Sequence, residues 1–132
     1  ELLLQLQDHP VIKAFRIGPD GIAPVHDYLK QCETLNCRPA AVLLDAYHPS
    51  EFGGTGRRID WEMLAEHTPL ESGIPWILAG GLNAENTADA IAITRPNAVD
   101  TASGVETSPG QKSEAQTRSF VEAARAGFSA SG

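Results

Sequence analysis

The sequence contains little positive charge, no long apolar run and only two cysteines. Its 10 Lys and Arg residues are outnumbered by 17 Asp and Glu residues, which leaves a formal net charge of −7. A nucleic-acid surface depends on Lys and Arg meeting phosphates, so this balance argues against a nucleic-acid-binding protein. No apolar run approaches the roughly 20 residues that a membrane-spanning helix needs. Neither a nucleic-acid partner nor a membrane partner is therefore expected.

The two cysteines, Cys32 and Cys37, match no zinc-binding spacing. The first residues, ELLLQLQDHP, lack the basic leader and the cleavage site of a secretory signal. A cytoplasmic location with free, structural thiols is therefore expected. The sequence shows no HExxH, CxxC or clustered-carboxylate pattern, so neither a metal site nor a cofactor is expected.

What is present is the composition of an ordinary globular domain. The chain has 132 residues, of which 42% are hydrophobic and 20% are charged. No linker, low-complexity tract or long charge run divides it. Residues 1–132 are therefore expected to form a single domain.

From Val11 onward, apolar runs alternate with amphipathic segments. The predicted strands are 11–17, 40–47, 76–79 and 97–103. The predicted helices are 21–35, 59–67, 85–91 and a last helix from about 113 to 128. This alternation is typical of an α/β protein with a parallel sheet covered by helices, either open or closed as a barrel. Four strands cannot by themselves close the usual eight-stranded barrel.

Two helix starts are marked by polar residues. Asn83 is expected to cap the third helix, which would begin at Glu85. Ser113 is expected to cap the last helix, with Gln116 reaching back to complete a capping box. In that last helix Val121 is expected to share the buried face.

Gly80 and Gly81 lie between a predicted strand and the helix that follows it. Glycine allows unusual dihedrals and close backbone approach, and the free amides near a helix start favour an anion such as phosphate. On these residues alone, a tight turn without a ligand is an equally good interpretation. Ser103 and Gly104 repeat the arrangement after the next strand. Because β/α barrels often hold one phosphate between the loops after their last two strands, this second pair favours the phosphate interpretation.

Asp45 follows the apolar run AAVLL at the end of a predicted strand. Functional groups of parallel β/α proteins lie at this end of the strands. Partial burial there favours the protonated form of a carboxyl group, so Asp45 could donate a proton near neutral pH. A carboxylate that only caps the following loop is the alternative. Asp100 begins the polar and glycine-containing stretch Asp100 to Glu106 at the end of the fourth predicted strand, and it is expected at the same rim.

The segment EFGGTGRR after the second strand is rich in glycine, with Gly53, Gly54 and Gly56 followed by Arg57. Such a loop could close over a substrate, with Arg57 meeting an anionic group. A solvated surface loop is the simpler alternative. His48 lies on the same connection and is a weaker candidate for a general base.

In order and spacing, these segments resemble the C-terminal half of phosphoribosylanthranilate isomerase of tryptophan biosynthesis. The matching segments are VIKAFRI, VLLDAYHPSEFGGTGRRIDW, PWILAGGLNAENTADAI and NAVDTASGVETSPGQKS. The resemblance implies the last four strands of a TIM-type (β/α)8 barrel, with the N-terminal half absent from this chain. It also implies an Amadori rearrangement of N-(5-phosphoribosyl)anthranilate to 1-(2-carboxyphenylamino)-1-deoxyribulose 5-phosphate.

The resemblance further implies roles for individual residues. Asp45 matches the family's general acid, which helps to open the ribose ring. Gly80-Gly81 and Ser103-Gly104 match the phosphate-binding loops, and Asp100 matches an aspartate near the bound sugar. Ala102 stands where the family usually has serine, which alters one polar contact at the phosphate end.

Two functional parts of the family lie in the N-terminal half: the general base, a cysteine on the first strand, and an arginine that holds the anthranilate carboxylate. A half-barrel would expose sheet edges and an apolar interior, which invites pairing with a second copy or with an N-terminal half-barrel. Two alternatives therefore stay open. One is a non-catalytic half-barrel that binds sugar phosphate or assembles with a partner chain. The other is an enzyme of a different phosphate-binding barrel family.

Overall fold

The computed structural model of the protein describes residues 2–6, 8–46, 61–68, 70 and 72–132. In chain order, its elements are α1 (Leu2–Gln5), β1 (Ile12–Arg16), α2 (Ala23–Thr34), β2 (Ala41–Asp45), α3 (Trp61–Glu66), β3 (Trp76–Ala79), α4 (Thr87–Thr94), β4 (Ala98–Val99), a 3₁₀ helix (Ser103–Val105), β5 (Glu106–Ser108), β6 (Gln111–Lys112) and α5 (Glu114–Ser131). The predicted alternation of strands and helices is confirmed.

The first four strands form one parallel sheet in the order β1-β2-β3-β4. Each described strand therefore lies next to its neighbour in sequence, without the reversal of order that defines a doubly wound sheet. Consecutive parallel β/α units of this kind build TIM-type barrels. The strand order thus favours the barrel type over a doubly wound sheet.

The two faces of the sheet are buried to different extents. On the face covered by helices, Val42, Leu44 and Leu78 are completely buried and belong to the hydrophobic core. On the opposite face, called the inner face below, Leu43 is only partly buried and Ile12 is 55% exposed. Successive residues of a strand alternate between the two faces. The core of the described chain therefore lies between the sheet and its helices.

The fourth strand is shorter than predicted. It comprises Ala98–Val99 rather than 97–103. The Asp100 amide still donates to the Leu78 carbonyl at 2.9 Å, and the chain then leaves the sheet and turns into the 3₁₀ helix. An antiparallel hairpin, β5 with β6, follows at 106–112 and was not predicted. The small polar residues of this region therefore form a turn and a hairpin rather than a longer strand.

The start of α4 also differs from the prediction. The capping position is Asn86, and the helix begins at Thr87 rather than at Glu85. The Asn83 side-chain oxygen accepts hydrogen bonds from the amides of Glu85 and Asn86 at 2.9 and 3.1 Å. Asn83 thus forms a turn of its own before the helix, as asparagine side chains often do.

Ser113 caps α5 as predicted, because its hydroxyl accepts a hydrogen bond from the Gln116 amide at 3.2 Å. The reciprocal half of the capping box is not formed as predicted. The Ser113 amide instead donates to the Val105 carbonyl at 2.8 Å, which joins the start of α5 to the 3₁₀ helix.

The long helix α5 packs against α4 through small residues. Its buried side is formed by Phe120, Ala124 and Gly127, and a β-carbon at Gly127 would lie 3.1 Å from the Cα atom of Ala88 in α4. Val121, which was predicted on this face, is 40% exposed. Among the described residues, no helix is long and apolar enough to span a bilayer.

Candidate functional site

The carboxyl ends of β2, β3 and β4 surround one cavity of about 240 Å³. Its lining consists of Leu43, Asp45, Ala79, Gly80, Gly81, Asp100, Thr101, Ala102 and Ser103. The structure therefore brings together the strand-end residues that were predicted to share one rim. Their roles in binding and catalysis remain predictions.

The parallel ladder fixes these strand ends relative to one another. Asp45 and Ala79 are register partners on β2 and β3. The ladder continues one step further on each side, because the Ala46 amide donates to the Ala79 carbonyl at 3.0 Å and the Asp100 amide donates to the Leu78 carbonyl at 2.9 Å. The two carboxylates at this rim are thus carried by a hydrogen-bonded sheet.

The glycine pair after β3 has a backbone conformation that favours glycine. Gly80 has a φ of 103° and Gly81 a φ of 66°. A β-carbon in this region of φ costs roughly 1–2 kcal/mol per residue. The Gly81 carbonyl accepts a hydrogen bond from the Asn86 side-chain amide at 3.0 Å, which holds the turn against the start of α4. The unusual dihedrals expected from the sequence are present.

Several backbone amides at the cavity have no acceptor within the described part of the chain. Among the described residues, the N–H groups of Gly80, Gly81 and Ser103 donate to no protein acceptor. The described lining contains the carboxyl groups of Asp45 and Asp100 but no Lys or Arg side chain. An anion in this cavity would therefore be held by backbone donors rather than by a cationic side chain lining it.

The loop after β3 and the loop after β4 are in direct contact. The Thr101 hydroxyl donates to the Leu82 carbonyl at 2.6 Å. Gly104 lies against the same carbonyl, and a β-carbon there would overlap the Leu82 oxygen and lie 2.7 Å from the Thr101 hydroxyl oxygen. Gly104 is not among the residues that line the cavity. Close approach of the two loops is sufficient to explain a glycine at this position.

The β5–β6 hairpin braces the loop after β4. The Lys112 ammonium donates to the Ala102 carbonyl at 2.8 Å and to the Glu106 carboxylate at 2.6 Å. The hydrogen bond from Lys112 to the Glu106 carboxylate, together with one from the Gly110 backbone, lowers the pKa of Glu106 below its ordinary value. Sequence reasoning missed Lys112 and Glu106. The signal was present, since both flank the Pro109-Gly110 turn of a short hairpin.

Arg16 is another rim residue that was missed. It is the register partner of Asp45 on the neighbouring strand, so both side chains project from the same face of the sheet. Arg16 is exposed. The sequence did contain a signal for it. Arg16 is a polar residue at the carboxyl end of its strand, on the face shared with Ile12 and Ala14.

Several predicted residues lie outside or away from the described site. The glycine-rich loop (Gly53, Gly54, Gly56 and Arg57) and His48 lie outside the described residues. Cys32 and Cys37 are buried, free thiols, and neither lines the cavity. Within the described part of the chain, no group of three or more His, Cys, Asp or Glu residues could hold a metal ion.

Comparison with known proteins points to one family. A family model described as N-(5'phosphoribosyl)anthranilate (PRA) isomerase matches residues 1–123. The chain is 44% identical over 117 residues to an N-(5'-phosphoribosyl)anthranilate isomerase of Neisseria gonorrhoeae (strain NCCP11945), and the match covers 89% of this chain and 51% of that relative. The chain thus spans about half the length of the curated relatives it matches.

Solved structures agree with this result. The phosphoribosyl anthranilate isomerase of Thermotoga maritima superposes with a TM-score of 0.61 at 33% identity, covering 87% of this chain and 51% of that one. A phosphoribosyl anthranilate isomerase solved in complex with reduced 1-(o-carboxyphenylamino)-1-deoxyribulose 5-phosphate superposes with a TM-score of 0.57 at 29% identity, covering 87% of this chain and 48% of that one. Again, the match extends over about half of each solved chain.

Proposed function

The chain belongs to the N-(5'-phosphoribosyl)anthranilate isomerase family, and we propose that it carries the proton-donating and phosphate-binding part of an isomerase site. The observation that carries this proposal is the cavity at the strand ends, where the Asp45 carboxyl group and unpaired backbone amides meet. The proposed reaction is the Amadori rearrangement of N-(5-phosphoribosyl)anthranilate to its 1-deoxyribulose 5-phosphate isomer, a step of tryptophan biosynthesis.

The substrate phosphate would bind at the loops after β3 and β4. The unpaired amides of Gly80, Gly81 and Ser103 supply donors for its oxygens, and the positive φ angles of the glycines allow the backbone to approach closely. Gly104 contributes by letting the two loops meet. Ala102, lacking a hydroxyl, contributes no side-chain donor to the phosphate.

Asp45 would act as the general acid. It lies at the end of β2, on the face that lines the cavity, where a sugar whose phosphate is bound at the two loops would extend. In the rearrangement, a proton is delivered to the ring oxygen as the C1–O bond breaks, and a proton is removed from C2, which gives the enolamine. Transfer of a proton from the C2 hydroxyl to C1 then gives the ketose. The atoms of substrate and product are the same, so no co-reactant is needed. Asp100, across the cavity from β2, would contact the sugar.

The proposal is tested by turnover of N-(5-phosphoribosyl)anthranilate by the purified chain, with Asp45→Asn measured beside it. Loss of the acid should lower the rate by about 10²–10⁴-fold. Asp27→Asn, on the exposed side of α2, is the matched control and should leave the rate unchanged. Asp45→Asn that retains wild-type turnover would contradict the assignment of the acid.

Binding of reduced 1-(o-carboxyphenylamino)-1-deoxyribulose 5-phosphate, an analogue of the proposed product, provides a second measurement. A chain that neither turns over the substrate nor binds this analogue would contradict the proposed function. A chain that binds the analogue without turnover would instead favour the second candidate, a half-barrel that binds sugar phosphates but does not catalyse.

The second candidate is favoured by the exposed inner face. Ile12, on the edge strand β1 of the described sheet, is 55% exposed. Its register partner Ala41 and the next inner-face residue of β2, Leu43, are only partly buried. Exposed apolar surface beside an open strand edge is typical of an interaction surface. We propose that a second copy or an N-terminal half-barrel covers it, and that the chain acts in the cytoplasm, where its free thiols stay reduced. Sedimentation of the purified chain at increasing concentration tests self-association, and a strictly monomeric chain would contradict it.

A further inference from the structure

Lys112 lies behind the loop after β4 rather than in the cavity. Its ammonium donates to the Ala102 carbonyl at 2.8 Å and to the Glu106 carboxylate at 2.6 Å. Ala102 and Ser103 line the cavity, whereas Lys112 faces a separate groove along α5. The peptide between Ala102 and Ser103 therefore separates the lysine from the candidate phosphate site.

The orientation of that peptide determines where its N–H group points. In a trans peptide, the carbonyl of one residue and the amide of the next point in opposite directions. Because the Ala102 carbonyl is directed to Lys112, the Ser103 amide is directed away from Lys112, towards the side on which the cavity lies. Among the described residues, this amide has no protein acceptor. A charged donor on the carbonyl also polarises the peptide and strengthens its N–H as a donor.

We infer that Lys112 is a positioning residue for phosphate: by binding the Ala102 carbonyl, it fixes and polarises the Ser103 amide as a donor to the anion. This inference rests on the proposed function, because it assumes that the cavity binds phosphate. Glu106 holds the ammonium in place. The same hydrogen bond lowers the pKa of Glu106, which keeps its carboxylate ionised to lower pH than an isolated carboxyl group.

Lys112 has a well-matched control on the same side of the molecule. Arg118 also carries a positive charge and pairs with a carboxylate, Glu114, at 3.0 Å, and its side chain, like that of Lys112, is exposed. The hydrogen bond of Arg118 is to Glu114 of its own helix, whereas Lys112 donates to the Ala102 carbonyl. Lys112→Met and Arg118→Met each remove one positive charge from this region. Only Lys112→Met removes a donor from the Ala102 carbonyl.

The test is titration of the wild-type chain and its variants with inorganic phosphate, followed by the amide resonance of Ser103. Lys112→Met should weaken phosphate binding about tenfold and reduce the shift of the Ser103 amide on binding. Lys112→Arg, which keeps a charged donor, should retain most of the phosphate affinity and most of the Ser103 amide shift. Arg118→Met should match the wild type in both measurements. Glu106→Gln, which keeps the ammonium but loosens it, should fall between Lys112→Met and the wild type.

The outcomes separate the inference from the proposed function. Phosphate binding that is unchanged in Lys112→Met, or weakened equally in Arg118→Met, would overturn the role of Lys112 while leaving the phosphate site in place. A folded wild-type chain that binds no phosphate would overturn the phosphate site and, with it, the inference. If Lys112→Met does not fold, Lys112→Arg and Glu106→Gln still decide the question through the Ser103 resonance.

Discussion

The helix-covered face and the inner face of the sheet come from the same strands, yet they are built for different purposes. Leu44 and Val42 of β2 are completely buried under the helices, while Leu43 and Asp45 of the same strand project to the inner face and line the candidate site. Adjacent residues in one strand therefore have different roles. Burial under the helices stabilises the fold, and partial exposure on the inner face leaves room for a ligand.

The two faces also differ in how far the described residues cover them. The helix-covered face has its partners within the chain, since residues of α2, α3 and α4 complete one hydrophobic cluster. The inner face has apolar residues such as Ile12 that no described element covers. Its polar residues lie at the carboxyl ends of the strands. Among the described residues, the inner face is therefore the less covered of the two, and it is the face that carries the candidate site.

Truncating the two adjacent leucines of β2 gives the largest expected contrast between the faces. Leu44→Ala should lower the free energy of unfolding by about 2–5 kcal/mol, because it removes a fully buried side chain and leaves a cavity. Leu43→Ala removes the same atoms from a half-exposed position and should cost clearly less. Urea denaturation of both variants measures the difference. Equal losses of stability would show that the inner face is covered in solution, which would contradict the difference in burial between the two faces.

A glycine substitution tests the contact between the two rim loops. Gly104→Ala should destabilise the chain by about 1–3 kcal/mol, because its β-carbon would overlap the Leu82 carbonyl oxygen, and backbone cannot easily move aside. It should also weaken phosphate binding, since the loops after β3 and β4 would be forced apart. Thermal unfolding and phosphate titration measure the two effects.

Gly18 is the control for that substitution. Gly18 is not one of the glycines with a positive φ, and a β-carbon there would meet nothing within 4 Å. Gly18→Ala should therefore leave stability within about 1 kcal/mol of the wild type. Tolerance of alanine at Gly104 equal to that at Gly18 would mean that the two loops do not meet as described.

The sequence was sufficient to predict the strands and the rim, because both follow from local pattern and general geometry. Apolar runs located β2 and β3, and the carboxyl ends of parallel strands necessarily meet at one edge. Asp45 and the Gly80-Gly81 pair could therefore be placed together before any coordinates were known. The positive φ angles of that pair were likewise expected from two glycines at a strand-to-helix turn.

The remaining features depend on contacts between segments that are distant in sequence. Gly104 was interpreted as a phosphate-binding residue, whereas its contact with the Leu82 carbonyl, 22 positions earlier in the numbering, gives a sufficient reason for glycine. Lys112 reaches back to Ala102, which no periodicity indicates. Asn83 and Asn86 both suit a helix start. The helix boundary falls at Asn86, whose side chain makes no cap hydrogen bond, whereas the Asn83 side chain accepts from the amides of Glu85 and Asn86.

The smallest expected effect is the pH dependence of stability, which distinguishes the Glu106–Lys112 pair from the apolar packing under the helices. Because the pKa of Glu106 is lowered in the folded chain, first by the hydrogen bond from Lys112 and then by the Gly110 amide, its contribution to stability is complete above its ordinary pKa of 4.5. That contribution should be lost as the pH falls through the lowered value. Denaturation of wild type and Glu106→Gln from pH 7 to pH 3 should show a stability difference that shrinks below about pH 4.5. The loss caused by Leu44→Ala involves no ionisable group and should stay constant over the same range. A Glu106→Gln difference that is equally constant would mean that Glu106 is not held as a carboxylate by Lys112.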